Sequence, residues 1–215
     1  MKYLFKLTYD KLVDLVEDQL GIDNWFIRDQ RIEKRTSSIR ETERFKKLKK
    51  RAIKLGFHFD DNEIVTWLDT LTTMYYTFKR LNIELQRALY VIQEFCVPHS
   101  NKRIDYILLI NNKILIVEFS FNQLGCEFRY EHKLQQAIGY KELLSTLLPK
   151  DIEIGTYTFM VDPETDKQGK PLYDINDDLP NDEKIDNFVK VIKTFFYKDV
   201  DMALNALEKV EGITI

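Results

Sequence analysis

Glycine is scarce in this chain, with seven in 215 residues, and none of them builds a loop that could cradle a phosphate. A nucleotide-driven ATPase needs such a loop for its backbone amides, so that class has nothing to stand on. Cysteine is scarcer still. Cys96 and Cys126 give no disulfide framework, and each lies in an apolar stretch that suits a reduced, buried thiol, as expected of a cytoplasmic protein. The three histidines, His58, His99 and His132, show no ligand spacing with either cysteine, which argues against zinc. Ser120 lacks the G-x-S-x-G elbow of a serine hydrolase. The acid-rich stretch from Asp162 to Asp174 has Pro163 at its second position and Lys167 where a calcium loop of the EF-hand type requires glycine. Long apolar runs are also missing at the start. MKYLFKLTYDKLVDLVEDQL has charges scattered through it, so neither a signal peptide nor a membrane span is expected, and no membrane partner.

Hydrophobic residues make up 44% and charged residues 31%, the balance of an ordinary soluble protein with one domain or two small ones. The net charge of −3 is unevenly spread. Arg28 to Lys54 holds twelve Lys and Arg against four Asp and Glu, whereas Asp151 to Asp186 holds eleven acids against three bases. A basic segment beside an acidic remainder is an electrostatic footprint for a polyanion. Arg44, Lys46, Lys47, Lys49, Lys50, Arg51 and Lys54, joined by Arg103, are the candidate phosphate contacts. The competing reading is that FKKLKKRAIK forms the solvated face of an amphipathic helix.

Apolar spacing predicts a helix over 3–20 stopped by Gly21, a basic amphipathic helix over 37–55 ending at Gly56, and a longer one capped by Asp60, Asp61 or Asn62 and running to about Arg80. ALYVIQEFCV then reads as a strand ended by Pro98. Two further strands follow, joined by the tight-turn pair Asn111-Asn112. A helix over 130–148, a strand over 153–161, a polar loop over 162–182 and two helices (183–197 and 199–211) complete the pattern.

The two strands around the Asn-Asn turn carry the chemistry. In RIDYILLINNKILIVEFSFN each apolar run is interrupted by one carboxylate, Asp105 and Glu118. An unpaired carboxylate in a covered strand is costly, so it is normally kept for a partner. Alternation puts Arg103, Asp105 and Ile107 on one face, and Ile116, Glu118, Ser120 and Asn122 on one face. A hairpin would bring the two acids together. Two carboxylates with a backbone carbonyl suit Mg²⁺ or Mn²⁺, which can activate a water and stabilise charge on a phosphoryl oxygen. On the next helix Lys133, Gln136 and Tyr140 lie at i, i+3 and i+7 and share a face. Glu94 is a further candidate carboxylate, and Glu63 another.

Asp105, then Glu118-Phe119-Ser120, then Gln136-Ala-Ile-Gly-Tyr140 resembles the PD-(D/E)xK nuclease superfamily, the last element being similar to the Q-x-x-x-Y motif of its exonuclease branch. Trp67-Leu-Asp-Thr-Leu71, then Gln93-Glu94-Phe95 to Pro98, then Arg103-Ile-Asp105 is similar to the nuclease-like module that precedes a helicase-type ATPase in some bacterial proteins. The likeness covers residues 60 to 160. It implies Mg²⁺-dependent cleavage of DNA, with Asp105, Glu118 and the Phe119 carbonyl as metal ligands. One departure stands out: the family usually has Lys where this chain has Ser120, and a hydroxyl cannot supply that charge. Lys133 is the first candidate to replace it and Arg103 the second. Lys113, about 17 Å from Glu118 by strand rise, is too far.

The expected fold is α/β, a restriction-endonuclease-like core of a four-stranded mixed sheet flanked by helices over 59–215, preceded by a basic helical extension over 1–58. The expected function is a Mg²⁺-dependent nuclease acting on DNA. The alternative is an inactive nuclease fold that binds nucleic acid or a protein partner, and pairing into a homodimer is also open.

Overall fold

The computed structural model describes residues 2–22, 32–98, 100, 102–121, 128–161 and 184–196. The chain opens with β1 (Phe5–Leu7) and α1 (Tyr9–Asp14), which continues as a π-helical turn (Leu15–Gln19). Helices α2 (Ile32–Ile39), α3 (Glu43–Lys54), α4 (Asp61–Lys79) and α5 (Ile83–Ala88) follow. Then come β2 (Tyr90–Cys96), β3 (Arg103–Ile110), β4 (Lys113–Phe121), α6 (Phe128–Leu147), β5 (Glu153–Val161) and α7 (184–196).

The strands form one mixed sheet in the order β1-β2-β3-β4-β5. The first four run antiparallel, and β5 pairs parallel to β4 after the α6 crossover. The α/β class is as expected, but the sheet has five strands rather than four. β1 is the extra one. Its three residues pair with β2 and show a buried-exposed-buried pattern, too short for alternation to outweigh the helical spacing that follows. The segment 1–58, expected as an extension, therefore supplies an edge strand of the same sheet.

Helices cover both faces. α4 and α7 bury Leu68, Leu71, Phe78, Phe188 and Ile192 on one side, with Val91, Leu108 and Val117 of the sheet. α6 buries Tyr140 and Leu144 on the other, with Ile92, Ile107, Ile116 and Ile154. α4 is buried over most of its length although rich in threonine. The hydroxyls of Thr72, Thr73 and Thr77 donate to the carbonyls of Leu68, Asp69 and Thr73 at 2.8, 3.0 and 2.8 Å, so none enters the core unpaired. Asp60 caps the helix, its carboxylate accepting from the amides of Asn62 and Glu63.

The helix expected over 37–55 is divided. Thr42 takes an extended conformation and accepts from the Phe45 amide, which starts a new helix at Glu43. The hairpin turn forms as expected, with Ile110 paired to Lys113 and Asn111 in the left-handed region that asparagine tolerates. Cys96 is free and half-buried rather than enclosed. Among the described residues no helix is long and apolar enough to cross a membrane. Cys126, His99, Asn122 and the helix expected over 199–211 lie outside the described residues.

Candidate active site

The strand alternation breaks on one rung. Along β3, Tyr106 and Leu108 face α4 while Ile107 faces α6; below Asp105 the phase is reversed, with Ile104 toward α6 and Arg103 toward the Trp67 ring of α4. β2 does the same at Glu94, whose φ of +54° puts it in the left-handed region. Val91 faces α4 and Ile92 faces α6, but Phe95 faces α6 again. Because each strand carries one out-of-phase residue at the same level, the register resumes unchanged, Gln93 with Tyr106 and Phe95 with Ile104. A left-handed glutamate inside a strand costs on the order of 1–3 kcal/mol, a cost borne here beside the site. Arg103 and Ile107 consequently do not share a face, contrary to simple alternation.

Beyond Tyr106–Val117 the β3–β4 ladder also stops, and side chains take over its hydrogen bonds. The Asp105 amide donates to Glu118 Oε1 at 3.1 Å, and the Phe119 amide donates to Asp105 Oδ2 at 2.8 Å. The strand ends thus part around two carboxylates. Lys133, reaching in from α6, donates to Glu118 Oε2 at 2.7 Å and to Asp105 Oδ2 at 3.2 Å. The Glu118 side chain is fully buried, so the ammonium is its necessary counter-charge. Burial and the neighbouring Asp105 charge push Glu118 up to about 8, against the opposing pull of Lys133. Burial lowers Lys133, but the two carboxylates outweigh it and hold the ammonium above its usual value.

Asp105 and Lys133 line a cavity of about 470 Å³ at the open end of the sheet, between α4 and α6, with the fully buried Glu118 behind them. Such a site, outside the carboxyl ends of the parallel strands β4 and β5, is where α/β sheets commonly bind ligands. α6 supplies Lys133, Gln136 and Tyr140 as expected. α4 supplies Glu63, Thr66, Trp67 and Thr70, which include the same i, i+3, i+7 spacing on the opposite wall. Thr66, Thr70 and the cavity-lining Lys102 had no part in the sequence reading; the repeat of that spacing on α4 was the signal available. Tyr140 is almost wholly buried. Its hydroxyl donates to the Arg103 carbonyl at 2.8 Å and accepts from Gln136 Nε2 at 2.6 Å, so it holds both neighbours in place. Burial pushes that phenol up to about 12, although the Gln136 hydrogen bond pulls the other way.

Arg103 forms the second charge centre. It donates to Glu63 and pairs with Glu94 at 3.3 Å. Burial lowers its pKa, but Glu94 and Glu63 more than restore it and leave the guanidinium above its usual value. Burial, then the charge of Asp105, raises Glu94 well above the carboxylate range, with Arg103 opposing.

Asp105 and Glu118 are the side chains here that could hold a hard divalent cation. Oxygens from Asp105 and Glu118 already converge on one cationic centre, the Lys133 ammonium, and the Phe119 carbonyl belongs to the same parted strand end. Among the described residues no three His, Cys, Asp or Glu side chains gather as a metal cage, so further ligands would be carbonyl and water oxygens. No family model matches this chain, and neither does any curated protein or solved structure.

The other candidates fall elsewhere. Ser120 is buried on β4 beside Met160 and is not among the cavity-lining residues. Lys113, at the far end of β4, bonds the Phe195 carbonyl at 3.1 Å. Much of the basic segment staples the fold. Arg44 and Lys47 donate to the carbonyls of Gly21 and Gln19, and Arg51 to that of Leu4 at 2.7 Å. Lys46 pairs with Glu41 and Lys49 with Asp61, while Lys50 and Lys54 lie exposed on α3.

Proposed function

We propose that this protein is a metal-dependent nuclease that hydrolyses phosphodiester bonds in DNA. One observation carries the reading: Lys133 reaches both Asp105 and Glu118 from α6 and offers the positive charge that Ser120 cannot. The order of motifs, from Asp105 through Glu118 to Gln136 and Tyr140, resembles the PD-(D/E)xK superfamily, and a mixed sheet covered on both faces is compatible with a restriction-endonuclease-like core.

Asp105, Glu118 and the Phe119 carbonyl would hold Mg²⁺, with Mn²⁺ as a substitute. An ion bound there would lower the pKa of a water and stabilise charge on a phosphoryl oxygen. Lys133, reaching in from α6 beside the same carboxylates, would offset the charge that develops on the phosphate as the transition state forms. Gln136 keeps one amide hydrogen and its carbonyl oxygen for a phosphate or a water after serving Tyr140. Arg103 and the exposed Lys50 and Lys54 contribute sequence-independent attraction to the backbone, which falls steeply with salt.

A second reading draws on the same contact. If the ammonium is the permanent counter-ion of the two carboxylates, the fold serves to bind nucleic acid or a protein partner without chemistry. Incubation of single- and double-stranded DNA with the protein and Mg²⁺ or Mn²⁺, beside Asp105→Asn, separates the two. Cleavage that needs metal and disappears in the variant supports the enzyme. Intact DNA with both metals, in folded protein, leaves the binder.

A further inference from the structure

Arg103 lines the cavity with two acids on its guanidinium, and the two are unequal. The Glu94 side chain is 7% exposed and anchored on a strand, whereas the Glu63 side chain is 35% exposed and stands in the first turn of α4. The guanidinium itself is held from other directions. It lies 5.8 Å from the ring centres of both Phe57 and Trp67, and its own carbonyl is fixed by the Tyr140 hydroxyl.

We propose that Glu63 is a stand-in for substrate: its carboxylate covers the face of Arg103 that a backbone phosphate takes, and it swings into solvent when nucleic acid enters. The inference rests on the nucleic-acid reading above and adds what screens Arg103 before nucleic acid enters. A guanidinium fork accepts carboxylate and phosphate by the same paired geometry, so one replaces the other without Arg103 moving. The Arg103–Glu63 pair is partly solvated, with side chains 26% and 35% exposed, so water screens part of its attraction and an entering phosphate can offset its loss. Glu94 stays behind as the buried acid 3.3 Å from the guanidinium, so Arg103 keeps a neighbour on its inner side before substrate arrives. The positive end of α4 and the surrounding water receive the Glu63 carboxylate once it is released.

The test is fluorescence-anisotropy titration of a short fluorescein-labelled single-stranded oligodeoxynucleotide in EDTA, where no cleavage intervenes. Glu63→Gln is expected to tighten binding roughly two- to fivefold, the span of one partly solvated ion pair. Arg103→Lys retains a counter-charge for Glu94 but lacks the fork; it is expected to bind more weakly, and Glu63→Gln added to it should bring no gain. An affinity unchanged or weakened by Glu63→Gln overturns the proposal. So does a gain that persists beside Arg103→Lys, because Glu63 then acts by general repulsion. If neither the wild type nor any variant binds, the nucleic-acid reading itself fails and takes this proposal with it.

Discussion

Asp105 gives its amide proton to the Glu118 carboxylate and offers its own carboxylate to the amide that follows Glu118. The exchange replaces a rung of backbone pairing where β3 and β4 part, so each acid is both a site residue and a partner of the other strand.

Asparagine and alanine at position 105 should therefore differ in stability although both remove the charge. Asp105→Asn retains an oxygen for the Phe119 amide, whereas Asp105→Ala leaves that amide without its acceptor. The alanine variant is expected to be less stable than the asparagine variant by roughly 1–3 kcal/mol, read by urea denaturation with EDTA present. Equal stabilities would mean that the amide finds water at no cost.

Metal binding should release a proton near neutrality. Glu118 is raised to about 8 by burial and Asp105, and a protonated carboxyl must ionise before it can ligate a cation fully. Mg²⁺ affinity is expected to climb with pH up to about 8. Calorimetric titrations in two buffers of different ionisation enthalpy should report uptake of that proton by the buffer at pH 7. The sign for stability runs the other way. A carboxyl raised in the folded state stabilises fully below its usual value near 4.5, and that contribution declines as pH rises toward about 8.

Removing Lys133 tests its double role. Lys133→Met strips the buried pair of its counter-charge, a loss on the order of 3–5 kcal/mol in metal-free protein at pH 8. The deficit should shrink at pH 5, where Glu118 takes up a proton instead. On the enzyme reading cleavage falls by about 10²–10³-fold, and Mg²⁺ raises the melting temperature of the variant more than that of the wild type. A variant that keeps full cleavage would show that Lys133 is not the missing charge.

A fourth prediction concerns how α7 is docked. A Cβ at Gly155 would lie 2.6 Å from Cε2 of Phe195, so Gly155→Ala should cost roughly 1–3 kcal/mol by overpacking. Adding Phe195→Leu should recover part of that loss. Thermal denaturation of the single and double variants reads the coupling, and strict additivity would count against the contact.

Asp105 and Glu118 were legible in the sequence because each is a lone acid in an otherwise apolar run, and Lys133, Gln136 and Tyr140 because helical spacing is rigid. The hairpin followed from Asn111-Asn112. What strict alternation misled about was Arg103. It passes to the α4 face because Glu94 and Asp105 each put one strand out of phase, and no local composition marks such an event when both strands carry it. Likewise α3 looks like a phosphate-binding face in composition. Yet Arg44 and Lys47 each donate to a carbonyl at the end of the first helix and Arg51 to the Leu4 carbonyl just ahead of β1, contacts between segments far apart in the chain. Three residues were too few for β1 to announce itself.

The parted rung bears on how this chain can change over generations. Residues serving only hydrolysis are free to drift once hydrolysis is no longer needed, but Asp105 and Glu118 also close the sheet, and neither can be discarded until its amide donor finds another acceptor. Folding alone thus preserves an acceptor oxygen at both positions, which asparagine or glutamine also supplies. In any descendant of this sequence, an amide at these positions would testify to an intact sheet alone, whereas two acids would record a demand for charge that the architecture does not make.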